Sequence, residues 1–414
     1  MTHNGGQISR RRRDLSEVFE SRAFRLFSIG NFSSLTAIWI VRVCAGWLTW
    51  EMTGSKTWLG ITSFAELGPS IIISLYAGVL ADRYDRMRIV RFGQGTQTAL
   101  ALLLFWLIFS RSLTMGWLIT VLLGFAVIGG LTLPARMALP PVLLPRSQLA
   151  TATAVGSMSV NLTRLIGPLI AAPLLAMQLE AVAMLIAALG FAINAVCMTM
   201  VRDEDRPANA ALSAPAPDGT GFFDAMADML RDRGLKLVLW LQFALSLLVR
   251  PVTEMFPAYA DLVFRMGETG YGALNGAVGI GAIVGAVLMV GEAAGRALRY
   301  HILLGALIFA AATASFAFTG NFWLALILLF IFGMAMTTMG IAATTFVQVQ
   351  APVERLGRVM SVYSLIFRFA PALGALAMGA IADWMGLRTS VLLLSLAGLA
   401  VVAACWRPLV KETA

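Results

Sequence analysis

Charge is scarce in this sequence: Asp, Glu, Lys and Arg together make up 13% of its 414 residues. Soluble domains carry roughly 25% charged residues. Hydrophobic residues account for 59% of the chain, and its mean hydropathy is +0.81. The composition therefore excludes an ordinary soluble domain and indicates an all-α integral membrane protein.

Histidine and cysteine are also rare. The two histidines, His3 and His301, lie far apart, and Cys44, Cys197 and Cys405 all fall inside apolar runs. Neither set has the spacing of a metal site or a disulfide framework. We therefore expect no metal and no other cofactor, and we interpret the cysteines as small buried hydrophobic residues.

Signatures of enzymes and ATP-driven pumps are missing as well. No G-x-x-x-x-G-K-[ST] loop occurs in the sequence, and this loop is what cradles nucleotide phosphates in many ATPases. No nucleophile–base spacing is visible. The first apolar run is too long for a secretory signal peptide and follows a tail of 23 residues. We predict that the chain is not an enzyme.

Apolar runs long enough to cross a bilayer dominate what remains. A transmembrane helix needs about 20 such residues, and lipid offers no partners for the backbone of any other structure. Twelve runs qualify: 24–50, 57–81, 89–109, 114–136, 148–176, 180–201, 235–259, 269–290, 299–318, 322–347, 357–383 and 388–406.

The positions of Lys and Arg predict the orientation. With a cytoplasmic amino terminus, 23 of the 31 basic residues fall on the cytoplasmic side and four on the opposite side. The other four lie inside spans, at Arg42, Arg164, Arg250 and Arg368. We expect both termini to be cytoplasmic, in the inner membrane of a bacterium. The asymmetry also explains the net charge of +9 without a nucleic-acid partner.

Residues 202–234 form the one long polar interruption and contain "DEDRPANAALSAPAPDGTG". This composition is typical of a flexible linker, and residues 222–232 within it predict a short amphipathic helix. The linker separates two six-helix bundles, predicted at 24–201 and 235–406, from each other. Residues 1–23 and 407–414 are predicted cytoplasmic tails.

The two halves show weak internal similarity, as many transporters do. A shift of 207 residues places Gly167 on Gly374 and Asn161 on Arg368. A shift of 213 residues relates the loop after span two to the loop after span eight, and four pairs coincide: Gly78 with Gly291, Ala81 with Ala294, Arg83 with Arg296, and Arg86 with Arg299. We predict a pseudo-symmetric pair of bundles.

The loop between spans two and three carries the clearest motif. Residues 78–88 read "GVLADRYDRMR" and resemble the loop signature G-x-L-A-D-R-x-G-R-[KR] of the major facilitator superfamily. Asp85 stands where that signature has its second glycine. This departure, with "TGSKTWLGI" (53–61), "LPARMALPPVLLPRSQLATATA" (133–154) and "FPAYAD" (256–261), is similar to the branch that includes the bacterial enterobactin exporter.

The resemblance implies that this loop is a conformational latch on the cytoplasmic side. Its members would be Gly78, Asp82, Arg83, Arg86 and Arg88. The similar loop in the second half, which we call the echo, keeps the glycine and the arginines of this motif. It lacks the acid, since the 213-residue shift aligns Asp82 with Gly295. The alternative is that the arginines only set the topology, which would leave Asp82 unexplained.

Polar and charged residues inside the spans are the substrate or coupling candidates, because such residues are costly in hydrocarbon. They are Arg42, Glu66, Asn161, Arg164, Arg250, Glu254 and Arg368. Arg42 and Glu66 are predicted at similar depth and could pair, either functionally or as a static ion pair. Arg250 and Glu254 are spaced i, i+4, which predicts one helix face, and Pro251 and Pro257 should bend that helix.

Four embedded arginines outnumber the two glutamates. If they face a central cavity, an anionic substrate is favoured, and proton coupling would use Glu66 or Glu254. "TRLIGPLIAA" (163–172) resembles an antiporter motif through Gly167 and Pro168, although Ala171 and Ala172 replace its glycines. Close helix packing is the alternative explanation of these small residues.

Together these features predict a secondary active exporter of a small organic molecule, anionic and siderophore- or drug-like, working as a monomer. The resemblance implies alternating access and proton antiport. Two alternatives stay open: an importer or lipid flippase of the same fold, and a non-transporting scaffold or sensor. The retained charges inside the spans argue against the second alternative.

Overall fold

The computed structural model describes residues 17–202, 204, 232–289, 296–350 and 356–411, and these residues form helices and turns without a β-strand. Its long helices are α1 Arg22–Thr53, α2 Lys56–Arg83, α3 Arg86–Phe109, α4 Met115–Met137, α5 Leu149–Ala176, α6 Glu180–Met200, α7 Arg233–Leu248, α8 Gly267–Leu288, α9 Arg296–Phe318, α10 Phe322–Gln350, α11 Leu356–Met385 and α12 Leu387–Lys411. The predicted amphipathic helix at 222–232 lies outside the described residues apart from Asp232.

Within the described part of the chain, eleven helical stretches are long and apolar enough to cross a membrane. They include every predicted span except the second, which corresponds to α2. The protein is therefore a multi-pass membrane protein. A twelfth crossing by α2, and the arrangement of twelve crossings in two symmetric bundles, stay predictions.

The seventh predicted span is interrupted near the two prolines that were expected to bend it. The α-helix α7 ends at Leu248, a 3₁₀ helix follows at Arg250–Met255, and a π-type turn covers Tyr259–Val263. Pro251 and Pro257 cannot donate backbone hydrogen bonds, so the regular ladder fails there. The expected α-helical spacing of Arg250 and Glu254 is wrong, because a 3₁₀ helix has about three residues per turn and separates positions i and i+4.

The described chain divides into two compact units. The first contains Met1–Arg42, Ile72–Ile170 and Leu179–Ala216; the second contains Val43–Ile71, Ala171–Gln178 and Pro217–Ala414. In the first unit α3 packs on α4 and α6, and in the second α10 packs on α8 and α9. The second unit thus includes the end of α1 and the start of α2 as well as the carboxyl-terminal half.

Glycine allows helices to approach closely within both units. A Cβ atom on Gly167 of α5 would collide with Trp39 of α1, and one on Gly374 of α11 would collide with the carbonyl oxygen of Leu247 on α7. The 207-residue shift relates the two glycines. Both glycines therefore lie at close helix contacts, and the internal repeat stays a prediction. Cys44, Cys197 and Cys405 are buried, as predicted.

Candidate functional site

Two embedded arginines share one tryptophan in the first unit. The guanidinium carbon of Arg42 lies 5.3 Å from the ring centroid of Trp39, one turn earlier on α1. The guanidinium carbon of Arg164, on α5, lies 5.4 Å from the same centroid. Both distances are within cation–π range. The structure thus brings two of the predicted substrate candidates, Arg42 and Arg164, together around the ring of Trp39.

Arg164 contacts the Trp39 ring, but one of its N–H donors lacks a hydrogen-bond acceptor among the described residues. Its Nε atom is buried and has no hydrogen-bond partner among the described residues, although the side chain as a whole keeps partial exposure. Asn161 lies one turn earlier on α5, and its amide nitrogen donates to the carbonyl oxygen of Ser157 at 3.1 Å. That bond uses one of the two N–H donors of the Asn161 amide within its own helix.

Gly167 explains how Arg164 reaches Trp39. A Cβ atom on Gly167 would meet the Trp39 side chain, and it would lie 3.3 Å from the Trp39 backbone. Only a hydrogen atom fits at that position. Its small size lets α5 approach α1 close to Arg164 on one helix and Arg42 on the other. This geometry supports close packing as a reason for Gly167, and an antiporter role for Gly167 and Pro168 stays a prediction.

Arg250 is bound differently from Arg164. It donates a hydrogen bond of 3.0 Å to the carbonyl oxygen of Phe367 on α11, and its guanidinium carbon lies 4.4 Å from the Phe367 ring centroid. Thr253 lies within 3.4 Å of the Glu254 carboxylate. The carbonyl and the ring both stabilise Arg250, which gives this arginine a structural role in joining the broken seventh helix to α11.

The structure leaves two other candidates as predictions. Arg368 lies on α11 next to Phe367, but its side chain lies outside the described part. Glu66 lies on α2 in the second unit, whereas Arg42 ends a segment of the first unit. The pairing of Arg42 with Glu66 therefore stays a prediction.

The loop after α2 shows why an acid replaces the family's glycine. Asp85 is the N-cap of α3, and its carboxylate accepts a hydrogen bond of 2.8 Å from the backbone of Arg88. An N-cap carboxylate satisfies a free helical N–H and interacts favourably with the helix dipole. Asp85 thus begins α3 where the family signature has a turn glycine.

The latch itself is described in part. Gly78, Asp82 and Arg83 form the last turns of α2, with side chains outside the described residues. Arg86 is partly exposed and Arg88 is exposed at the start of α3. The latch role of these five residues stays a prediction.

The echo in the second half is also partly described. Gly291 lies outside the described residues, and Arg296 begins α9 with its side chain undescribed. Arg299 lies 5.3 Å from the Phe346 ring centroid on α10, with a buried Nη1 that has no hydrogen-bond partner in the described chain.

A second polar cluster lies at the opposite end of α2, and the sequence reasoning missed it. The carboxylate of Asp383, near the end of α11, accepts hydrogen bonds from the Ser55 hydroxyl at 2.7 Å and from the Lys56 and Thr57 backbone at 3.2 and 2.8 Å. It also forms an ion pair of 3.1 Å with Lys56 Nζ. We call this cluster, Ser55, Lys56, Thr57 and Asp383, the clasp.

The clasp caps a helix from a distant part of the chain. Lys56 is the first residue of α2, so its N–H and that of Thr57 lack partners within the helix. Asp383 supplies a carboxylate to both, at the positive end of the helix dipole. Charge-assisted hydrogen bonds contribute roughly 1.5–3 kcal/mol each at best, and solvent reduces this here because the Asp383 side chain is 32% exposed.

Glycines let the two backbones meet around the clasp. A Cβ atom on Gly379 of α11 would collide with the Lys56 carbonyl oxygen, and one on Gly60 of α2 would collide with the Ala375 carbonyl oxygen. The sequence does contain part of this information, because Ser-Lys-Thr before an apolar run is typical of a helix start. No local pattern could identify Asp383 as its partner.

Aromatic contacts extend this region of the second unit. The Trp50 indole donates to the Asp261 carboxylate at 3.0 Å, and the rings of Trp47 and Tyr271 stack with centroids 6.1 Å apart. These contacts join the end of α1 to the segment that follows α7 and to α8. The end of α1 and the start of α2 are therefore bound to the carboxyl-terminal half at several points.

Comparison with known proteins shows similarity to membrane transport proteins. The family described as transmembrane secretion effector matches residues 17–413. The enterobactin exporter EntS of Escherichia coli O81 is 27% identical over 387 residues, which cover 90% of this chain and 88% of that one. The staphyloferrin A transporter of Staphylococcus aureus is 29% identical over 166 residues, 39% of each chain.

Solved structures show the fold. A bacterial homologue of the human lysosomal transporter Spinster has a TM-score of 0.74 at 14% identity, covering 94% of this chain and 97% of its own. The nucleoside transporter NupG has a TM-score of 0.73 at 11% identity, covering 93% and 98%. At such identities the likeness concerns the fold alone.

Proposed function

We propose that this chain, which belongs to the transmembrane secretion effector family of the major facilitator superfamily, is a secondary active exporter of a small organic anion in a bacterial inner membrane. Both termini face the cytoplasm in this proposal, in accord with the positive-inside rule. The names of its relatives support export, since enterobactin exporters match 90% of the chain.

The single observation that carries the mechanism is the clasp. It binds the start of α2 to the end of α11, positions 327 residues apart in the sequence. A helix of 28 residues is about 42 Å long at 1.5 Å per residue, longer than the hydrocarbon core. That length is enough for α2 to cross the membrane, and the proposal places its two ends on opposite sides, with the clasp outside and the Asp82 loop inside.

In this proposal, alternating access depends on two sets of contacts at the two ends of α2. The clasp stabilises the state closed toward the outside, and the Asp82 latch stabilises the state closed toward the cytoplasm. Neither set of contacts can persist through the whole cycle, so each biases a two-state equilibrium by its own free energy. Transport requires that the two free energies remain comparable.

Energy for export comes from the proton gradient in this proposal. Glu66 and Glu254 are the embedded carboxylates, and protonation removes the charge that makes their burial costly. Substrates resembling siderophores are the first class to test, because the named relatives transport enterobactin and staphyloferrin A.

The test is accumulation in a strain deleted for the gene. Radiolabelled siderophore should accumulate in deleted cells and be released when the wild-type gene is restored. A protonophore should abolish that release. Uptake of label from the medium in place of release would favour an importer, and equal handling by deleted and complemented cells would favour a non-transporting protein.

A further inference from the structure

We propose that one side of α5 lines a water-accessible route for a molecule that carries an anionic group, with Arg164 at the charged end of that route. The inference rests on the proposed function and deepens it by giving the route of the exported molecule. This side of the helix carries Thr153, Ser157, Asn161 and Arg164, and we call these four residues the α5 polar stripe. Arg42 has no part in it.

The spacing of the four residues places them on one side of α5, which spans Leu149–Ala176. They are four, four and three residues apart, so they fall within about 80° of arc at 3.6 residues per turn. Thr153 and Ser157 are exposed, and Asn161 and Arg164 are partly exposed. The helix therefore presents hydroxyl, amide and guanidinium groups in one row.

Depth in the membrane gives this exposure its meaning. Asn161 and Arg164 lie near the middle of a 28-residue helix, about 18–23 Å from either of its ends at 1.5 Å per residue. An exposed amide or guanidinium group at that depth is costly against lipid and stable against water. The α5 polar stripe therefore faces water.

A second exposed side of α5 is apolar and accounts for the contact with lipid. Met158 is 70% exposed and Leu169 is 56% exposed. Both lie roughly 110° around the helix from the centre of the α5 polar stripe. Exposure on α5 is thus divided into a polar side and an apolar side, as expected for a helix between water and lipid.

The polar side of α5 is exposed only as far as Arg164. Pro168, Ala171 and Leu175 continue the same side of the helix, and all three are buried. An anionic molecule that entered along the α5 polar stripe would therefore meet a cation where the exposed part ends. The position of the charge is suited to hold such a molecule.

Arg164 lacks an anionic partner among the described residues. Its guanidinium group contacts the Trp39 ring, and its buried Nε has no hydrogen-bond acceptor in that part of the chain. Buried polar groups in folded proteins nearly always have a partner. A carboxylate or another oxyanion would supply both the missing acceptor and the missing negative charge.

Cysteine labelling of the purified full-length protein in lipid nanodiscs tests the route. Asn161→Cys should react with iodoacetamide at least roughly tenfold faster than Met158→Cys, because a thiol surrounded by lipid seldom forms the reactive thiolate. Met158→Cys is the matched control, since it lies on the same helix and its native side chain is 70% exposed. The wild type gives the background from the three buried natural cysteines. Ser157→Cys serves the same test if Asn161→Cys does not give a monodisperse protein.

A bound anion should slow this labelling. 2,3-Dihydroxybenzoate carries a carboxylate, and 2,3-dihydroxybenzamide is its neutral counterpart of nearly equal shape. The anion should protect Asn161→Cys at a concentration roughly tenfold lower than the amide, the ratio expected for a charge-assisted contact. Adding Arg164→Gln should remove that difference, whereas Arg164→Lys keeps the charge and should retain part of it.

The outcomes separate the route from the proposed function. Equal labelling of Asn161→Cys and Met158→Cys would overturn the water-accessible route. Fast labelling that the two ligands slow equally, or do not slow, would overturn the assignment of an anion to it. If the selective protection is observed but deleted and complemented cells handle siderophore alike, the exporter proposal fails while the route and its anion remain.

Discussion

Asp383 and Lys56 lie 327 residues apart in the sequence, and their side chains form an ion pair of 3.1 Å. The pair belongs to a cluster in which one carboxylate accepts four hydrogen bonds at the start of a helix. Three of the four hydrogen bonds come from the Ser55 hydroxyl and the Lys56 and Thr57 backbone, and only one comes from the lysine ammonium. The Asp383 carboxylate therefore contributes more to the cluster than the Lys56 side chain.

Asp383→Asn should weaken the clasp far more than Lys56→Gln, because it removes the charge from all four hydrogen bonds rather than one donor. We expect the asparagine variant to shift the equilibrium away from the outward-closed state by about tenfold, equivalent to about 1.4 kcal/mol. Hydrogen–deuterium exchange of the Lys56 and Thr57 amides should rise in Asp383→Asn and change little in Lys56→Gln. Similar exchange in the two variants would show that the ammonium dominates.

The clasp should also accept a covalent link. Ser55 Oγ lies 2.7 Å from the Asp383 carboxylate, so a bifunctional methanethiosulfonate reagent should cross-link Ser55→Cys to Asp383→Cys and stop transport. Reduction should restore activity. The three natural cysteines are buried, and each single cysteine variant serves as a control for their contribution. Full transport by the cross-linked double variant would mean that this end of α2 does not move.

Loss of the inner latch should act in the opposite direction. Asp82→Asn should favour opening toward the cytoplasm and reduce transport, whereas Asp383→Asn should favour opening toward the outside. In the double variant the two shifts should partly cancel, so its transport rate should exceed that of either single variant. Additive losses in the double variant would show that the residues do not bias one shared equilibrium.

Gly167→Ala tests the contact between α5 and α1. Alanine stabilises a free helix by up to about 1 kcal/mol relative to glycine, but here its methyl group would collide with Trp39. We expect a net loss of folding stability of about 1–3 kcal/mol. Gly156→Ala, on the same helix with no neighbour within 4 Å of its added Cβ, should be neutral or stabilising in the same thermal unfolding assay.

Proton coupling predicts a selective loss rather than a general one. Glu66→Gln with Glu254→Gln should abolish efflux driven by a pH gradient while preserving slow equilibration of substrate across proteoliposomes. Purification yield and thermal stability provide the folding control. Efflux that still follows the pH gradient in the double variant would remove both carboxylates from the coupling mechanism.

The sequence predicted the membrane class, the helix positions and the break after Leu248 because these depend on local properties. Long apolar runs leave helices as the favourable structure in lipid, and proline removes a backbone donor wherever it stands. The position of Arg42 and Arg164 inside spans could also be predicted, since charge within an apolar run is conspicuous. Their shared ring could not, because Trp39 resembles many other tryptophans in the chain.

The sequence by itself determined a multi-pass helical membrane protein with arginines inside its spans, through hydropathy and charge that each segment carries alone. Only the tertiary structure decided that Asp383 caps the helix starting at Lys56, and that Arg42 and Arg164 meet at Trp39. These relationships depend on glycines that let particular helices approach within contact distance. Such approaches join distant segments, and no local pattern specifies which segments they will be.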